Sequence, residues 1–351
     1  MSAKRNARPV TVFEASASHL RHFRAVKKDT SARYLQPAVG VSALSAMNPA
    51  ASPKPEQNVV GVGIGEKISN GIATGVLSVK LFVRVKYPDN AIPDADRLPK
   101  DLDGLPTDVE QVGTFRRFAT SPASPSAMPN PRGRFRPARP GSSIGFQDPQ
   151  NNFTMAGTFG AVVKKGSKLF VLSNNHVLAD ENKLPIGSPI FQPGLLDGGK
   201  TASDRIAALT TFIPLTTPAP NKVDCAIAEA ASANIVSKDI LFIGPPNGTA
   251  AAAIDMQVHK FGRTTGYRVG RVTSIETDVT VGYEMGNLQF TNQILIVGRS
   301  SQAFSAAGDS GSLILERGTN HAVALLFAGS TTHTIANHIE DVLQALGVTL
   351  A

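Results

Sequence analysis

From about residue 144 to the C-terminus, short runs of β-branched and aliphatic residues recur between turn signals. Ala161-Val162-Val163, Leu169-Phe170-Val171-Leu172, Gln293-Ile294-Leu295-Ile296-Val297 and Ala322-Val323-Ala324-Leu325-Leu326-Phe327 are examples. Runs of that length predict the antiparallel strands of a sandwich or barrel. The period then changes. Ile335, Ile339, Val342, Leu343 and Leu346 repeat with helical spacing, which predicts a helix over 334–346 that ends the domain. Upstream, residues 59–64 and 75–87 read as strands, the second alternating through Leu77, Val79, Leu81, Val83 and Val85. Residues 56–114 therefore predict a small αβ accessory domain. Gly61-Val62-Gly63-Ile64-Gly65 lacks the G-x-G-x-x-G spacing of a dinucleotide loop and reads as a glycine-rich strand or bulge.

The flanking segments carry a weaker pattern. Phe13, Ala17, Leu20 and Phe23 share one face of a short amphipathic helix over 13–28. The rest of 1–55 cannot bury much and reads as a flexible basic tail. Residues 115–143, with Pro122, Pro125, Pro129, Pro131, Pro137 and Pro140, read as a Pro/Arg-rich linker. The remainder, 144–351, is the largest unit.

Charge sharpens that division. The net charge is +8, yet residues 1–40 contribute +6 and the acid-free stretch 116–147 another +6, so everything else sums to 8 − 12 = −4. The basic character belongs to the appendages, which argues against a nucleic-acid enzyme. The single cysteine, Cys225, excludes an internal disulfide. No apolar run resembles a signal peptide or a membrane span. The expected location is cytoplasmic. No C-x-x-C pair, H-E-x-x-H motif or acidic calcium loop occurs, so no metal and no cofactor is expected.

Three motifs carry chemistry. Asn174-Asn175-His176-Val177-Leu178-Ala179 places a histidine just after an apolar strand. Val223-Asp224-Cys225-Ala226-Ile227-Ala228 places an aspartate at the start of another. Gly308-Asp309-Ser310-Gly311-Ser312 places a serine on a glycine turn. A serine hydroxyl is a poor nucleophile without a base, and the base needs a third group to fix its tautomer. His176, Asp224 and Ser310 are the candidate general base, orienting carboxylate and nucleophile. Glycines flanking Asp309-Ser310 let main-chain amides point inward, so the Gly308 and Ser310 amides are the candidate oxyanion hole. The separations are 224 − 176 = 48 and 310 − 224 = 86 residues.

The order His, Asp, Ser resembles that of chymotrypsin-like serine proteases. Lys260-Phe261-Gly262-Arg263-Thr264-Thr265-Gly266-Tyr267, with Gly270, is similar to a hairpin of the bacterial α-lytic protease and streptogrisin group. The arrangement through Leu325-Leu326-Phe327-Ala328-Gly329-Ser330 is similar to the plant narrow-leaf protease type. Ser173-Asn174-Asn175-His176 departs from the usual T-A-x-H approach. The resemblance covers 144–351 and extends into the N-terminal αβ unit, through Leu98-Pro99 to Gly113. It implies a mainly β fold of two antiparallel six-stranded β-barrels with a C-terminal helix, and a serine endopeptidase acting on protein or peptide substrates. It also implies that Lys260 pairs with Asp309 and keeps the oxyanion loop formed; a solvent-facing lysine is the plainer alternative. Specificity-pocket walls are expected from 302–307 and 327–330, including Phe304, Phe327, Ala328 and Gly329. No acid lies in either stretch, so a small or apolar side chain is expected there. Two other readings stay open: a catalytically silent binding module on the same fold, and an esterase using the same three residues. The N-terminal unit is read as an accessory, regulatory or oligomerisation module.

Overall fold

The structure is a computed structural model that describes residues 10–12, 14–35, 54–117, 128–148, 153–299 and 302–351. The chain opens with helix α1 (Ala17–Tyr34), a short α2 (Pro55–Asn58), and strands β1 (Val59–Ser69), β2 (Ile72–Val83), β3 (Asp101–Leu102), β4 (Leu105–Gln111) and β5 (Arg116–Arg117). There follow β6 (Ser143–Asp148), β7 (Phe153–Thr158), β8 (Ala161–Lys165), β9 (Lys168–Ser173), α3 (Asn175–Leu178), β10 (Pro189–Phe191), β11 (Arg205–Phe212) and β12 (Ala226–Ala230). The last third holds β13 (Gln257–Gly262), β14 (Gly266–Tyr283), β15 (Gly286–Gly298), β16 (Leu313–Glu316), β17 (Ala322–Gly329), β18 (His333–His338), α4 (Ile339–Leu346) and β19 (Thr349–Leu350).

The fold is mainly β, in two sheets. One has eight strands in the order β19-β8-β9-β12-β11-β10-β6-β7. The other has eleven, and its β13–β14 pairing closes β13, β16, β17, β18, β15 and β14 into a ring. Ile144, Phe146, Val162, Val171, Ile190, Leu209 and Ala228 fill the first sheet's core. Val258, Val272, Ile294, Ile296, Ile314, Val323 and Leu326 fill the ring. A third cluster joins Leu172 and Ile227 to Leu313, Leu325, Ile339 and Val342, so both sheets and α4 pack on one apolar seam. Sequence separation had given no register for that seam. Burial of aliphatic faces on both sheets supplies it, at about 25 cal/mol per Å² of apolar surface.

The second sheet exceeds the expected six strands because the N-terminal unit is built into it. β1 pairs antiparallel with β14 through Gly61↔Val279 and Gly65↔Ser274, and β2 continues outward to a parallel β4. The glycines of β1 make this possible: a Cβ at Gly63 would meet the Ser274 and Thr277 hydroxyls at 2.5 Å, and one at Gly65 the Thr273 carbonyl at 2.5 Å. The β2–β4 pair is locked by buried Lys80, whose Nζ lies 2.8 Å from Glu110, with Asp108 as its second partner. Glu110 in turn accepts from His333 at 3.0 Å, tying this unit to β18.

Three further expectations change. Within the segment read as a tail, α1 packs Phe23, Val26 and Tyr34 against Val62, Ile64, Val79 and Leu81. Its start is capped by Ser16, and it runs later than expected, so Ala17 and Leu20 lie on its first turn while Phe13 lies outside the described residues. Residues 128–143, within the segment read as a linker, are packed: Ala138 is buried, and Arg134 and Arg136 pair with Asp204. The prolines Pro122 and Pro125 lie outside the described residues. The C-terminal helix starts at Ile339, because residues 333–338 pair with both β15 and β17 and are strand. No helix among the described residues is long and apolar enough to cross a membrane.

Candidate active site

His176 rides on α3, the single turn after β9, and is buried with Asp224. Its Nδ1 lies 2.6 Å from Asp224 Oδ2. Asp224 precedes β12, which pairs with β9, so the two motifs meet through one strand pair. The carboxylate is fully engaged. Oδ1 accepts the Asn175 N–H at 2.7 Å and the His176 N–H at 3.3 Å. Oδ2 also accepts the Tyr283 hydroxyl at 2.7 Å. The Asp224 N–H donates to Asn337 Oδ1 at 2.9 Å, and Asn174 Nδ2 donates to the Asp224 carbonyl at 2.8 Å. Hydrogen-bond donors, rather than a cation, therefore surround this buried carboxylate. Burial beside Asp224 holds the Tyr283 phenol well above its ordinary value. Cys225, next in the chain, is buried, and its thiol is likewise pushed up.

The serine turn lies between the sheets. A Cβ at Gly157 would meet Val177 at 2.6 Å and the Ser310 carbonyl at 3.0 Å, so the turn and the helix that carries His176 both close on this glycine of β7. Thr158 fastens it, with its N–H on the Ser310 carbonyl at 2.8 Å and its hydroxyl on the Gly308 carbonyl at 2.9 Å. Gly308 (φ +93°) and Gly311 (φ +91°) both adopt backbone that disfavours a side chain. There is also no room: a Cβ at Gly311 would sit 2.0 Å from Ser173 Oγ. Among the described residues, neither the Gly308 nor the Ser310 N–H has an acceptor, while the intervening Asp309 N–H donates to Ala306 O at 3.0 Å. Two free donors on a tight turn are what an oxyanion requires.

Asp309 is fully buried, with Lys260 Nζ 2.9 Å from its Oδ2. Its other partners are the Thr264 and Thr265 N–H groups on Oδ1 at 2.8 and 3.1 Å, and the Thr265 hydroxyl and Ala306 N–H on Oδ2 at 2.6 and 3.0 Å. Burial alone would raise its pKa. Lys260 and these donors outweigh that and hold it below the ordinary carboxylate range.

The Ser310 Oγ donates to the Phe327 carbonyl at 3.3 Å, and His176 Nε2, also buried, has no partner among the described residues. Of the expected pocket residues, the Phe304 ring joins the apolar filling of the β13–β18 ring, and the Phe327 ring packs at a tilt of 39° against Phe290 with centroids 4.7 Å apart. Both rings are core, so of that set only the backbone at Ala328–Gly329 faces the serine turn's side of β17.

Several residues that shape the site gave no sequence signal. Tyr283 ends an 18-residue strand, and only the length of β14 carries its hydroxyl to Asp224. Glu181 follows α3 in a run of left-handed residues, Asp180 (φ +47°), Glu181 (φ +52°) and Asn182 (φ +75°), and caps the β14–β15 turn by accepting the Glu284 and Met285 N–H groups. Arg263 forms a two-pronged buried pair with Asp197, at 2.5 and 2.8 Å. Polar residues whose partners lie 59 to 104 positions away have no local periodicity to betray them.

Compared with known proteins, the sequence matches no family model and no curated protein. In structure the chain is similar to Thermobifida fusca protease A (TM-score 0.44, 19% identity, covering 61% of this chain and 97% of that one). It is also similar to Cellulomonas bogoriensis chymotrypsin (0.41, 17%, 61% and 98%) and an alpha-lytic protease homologue, N4 (0.43, 17%, 61% and 99%). These neighbours are chymotrypsin-like serine proteases.

Proposed function

We propose that the protein is a serine endopeptidase in which His176 is the general base, Asp224 orients it, and Ser310 is the nucleophile. The observation that carries this reading is the serine turn, whose Gly308 and Ser310 amides have no acceptor among the described residues, lying with the helix of a histidine fixed through Nδ1 against the same Gly157. With Nδ1–H on Asp224, the Nε2 lone pair is left to accept the serine proton. Oγ then attacks a peptide carbonyl, and the two amides receive the developing oxyanion. The imidazolium passes its proton to the leaving amine, and water repeats the sequence on the acyl-enzyme. The Lys260–Asp309 pair holds the turn in shape.

For this chemistry Ser310 Oγ must leave the Phe327 carbonyl for His176 Nε2. That bond, and the near-complete burial of both side chains, favours a second reading: a protease fold held silent as a binding module. Labelling with a fluorophosphonate probe separates them. The endopeptidase reading expects covalent labelling of the full chain that disappears in Ser310→Ala. Absence of labelling in folded wild-type protein, with no cleavage of a casein substrate, would refute it. Turnover of small esters without any peptide cleavage would point to an esterase.

A further inference from the structure

The edge of β17 explains why the serine is covered. Leu325 and Leu313 are ladder partners. One step on, the Leu326 N–H and carbonyl bond to Ser312 and Gly311. The Phe327 carbonyl takes Ser310 Oγ. Beyond it, Ala328 and Gly329 pair with Arg117 and Arg116 of β5, antiparallel. One edge therefore carries in succession β16, the serine turn and a two-residue strand from far upstream. An extended peptide that delivers a carbonyl to Ser310 has to lie where β5 lies, because adding a strand satisfies its backbone at an open edge. In this register and direction, the residue after the one at Arg117's place falls opposite Phe327, beside the nucleophile.

The side chain at that place is recognised. Arg117 is 10% exposed, its Nε lies 2.6 Å from Glu181 Oε1, and Glu284 is its second carboxylate partner. The two acids are independently held. Glu181 is anchored by two N–H groups of the β14–β15 turn, and Glu284 is bonded to Lys183 at 3.1 Å. Phe115, just before, is buried with Phe290 and Phe327, and its carbonyl accepts the Gly282 N–H at 3.1 Å.

We infer that Ala328–Gly329 with Glu181 and Glu284 is a binding site for an extended peptide bearing arginine just upstream of the residue presented to Ser310, and that β5 is the chain's own occupant of it. Presentation of that peptide to a nucleophilic Ser310 rests on the endopeptidase reading; its binding does not. An incoming peptide competes with β5, which enjoys the high effective concentration of a tethered ligand. Freeing the acidic pocket therefore raises the affinity for arginine peptides in trans.

The test uses the full chain in the Ser310→Ala background, so that binding is read without turnover. A fluorescein-labelled hexapeptide with Arg at this position is compared by anisotropy with the same peptide carrying Ala. Adding Arg117→Ala should tighten the Arg peptide about tenfold and leave the Ala peptide weak. Glu284→Gln, at a half-exposed position, should then cut the preference several-fold; Glu181→Gln should abolish it. In the Ser310-containing protein, Arg117→Ala should raise the fluorophosphonate labelling rate. Equal affinity for the Arg and Ala peptides in the Arg117→Ala chain overturns the arginine site, whether or not Ser310 labels. Ser310 that never labels, with the Arg preference intact, sinks the endopeptidase reading alone.

Discussion

Lys260→Met removes one charge from a fully buried ion pair while keeping nearly the same volume. Both partners have no exposed side-chain surface, and Asp309 keeps four neutral donors: Thr264 N–H, Thr265 N–H, Thr265 Oγ and Ala306 N–H. Breaking a buried pair by removing one partner costs about 3–5 kcal/mol, because a charge is left uncompensated. The four donors place the expected loss at the lower end, about 3 kcal/mol, as these hydrogen bonds partly stabilise the carboxylate. Asp309→Asn added to Lys260→Met removes the stranded charge, so the double variant should recover at least about 1 kcal/mol relative to additivity. Urea unfolding at neutral pH measures the stabilities, and fluorophosphonate labelling reports whether the Gly308–Ser310 turn survives. Acid titration adds a second readout. With Lys260 present, the Asp309 carboxyl lies below its unfolded value. Its contribution is complete above the ordinary carboxylate range and is lost as pH falls through the lower, folded value. In Lys260→Met, burial is less opposed, the carboxyl rises, and the acid loss should begin at higher pH. A loss below about 1 kcal/mol with unchanged labelling and an unchanged acid limb would refute the claim that this pair holds the turn.

Other outcomes follow from the same geometry. Tyr283→Phe removes the hydroxyl bonded to Asp224 and should cost about 1–3 kcal/mol by urea unfolding and slow labelling several-fold. Gly311→Ala forces a Cβ to 2.0 Å from Ser173 Oγ at a left-handed φ, and should lower stability by about 2–4 kcal/mol in thermal unfolding and abolish labelling. Burial would raise Glu110, but its bonds and charges to His333 and Lys80 bring it down to about 2. Its stabilisation is therefore complete above its ordinary value of 4.5 and is lost as pH falls from there toward about 2, which Glu110→Gln should flatten in an acid unfolding series.

The pattern along the chain by itself determined the mainly β character of 144–351 and the three chemically loaded motifs. Both follow from local rules: strands need alternating or continuous apolar runs, and a serine turn needs glycines at positive φ. Gly308 and Gly311 are legible because the conformation they permit is a property of the residue. The tertiary structure decided what local rules cannot reach. The glycines at 61, 63 and 65 signalled an unusual strand, but only its pairing with β14 turned an expected separate unit into part of the second sheet. Residues 334–337 carry helical spacing and yet are strand, because two neighbours offer backbone partners that a helix there would leave unpaired. Phe304 and Phe327, expected at a pocket, are core rings, since burial of aromatic surface outweighs a wall position. The acids that hold Arg117 come from residues 181 and 284, and the strand that meets the edge of β17 comes from a segment that composition marks as linker. Contacts across such separations are fixed by how two sheets pack, and that packing is a property of the whole chain rather than of any stretch of it.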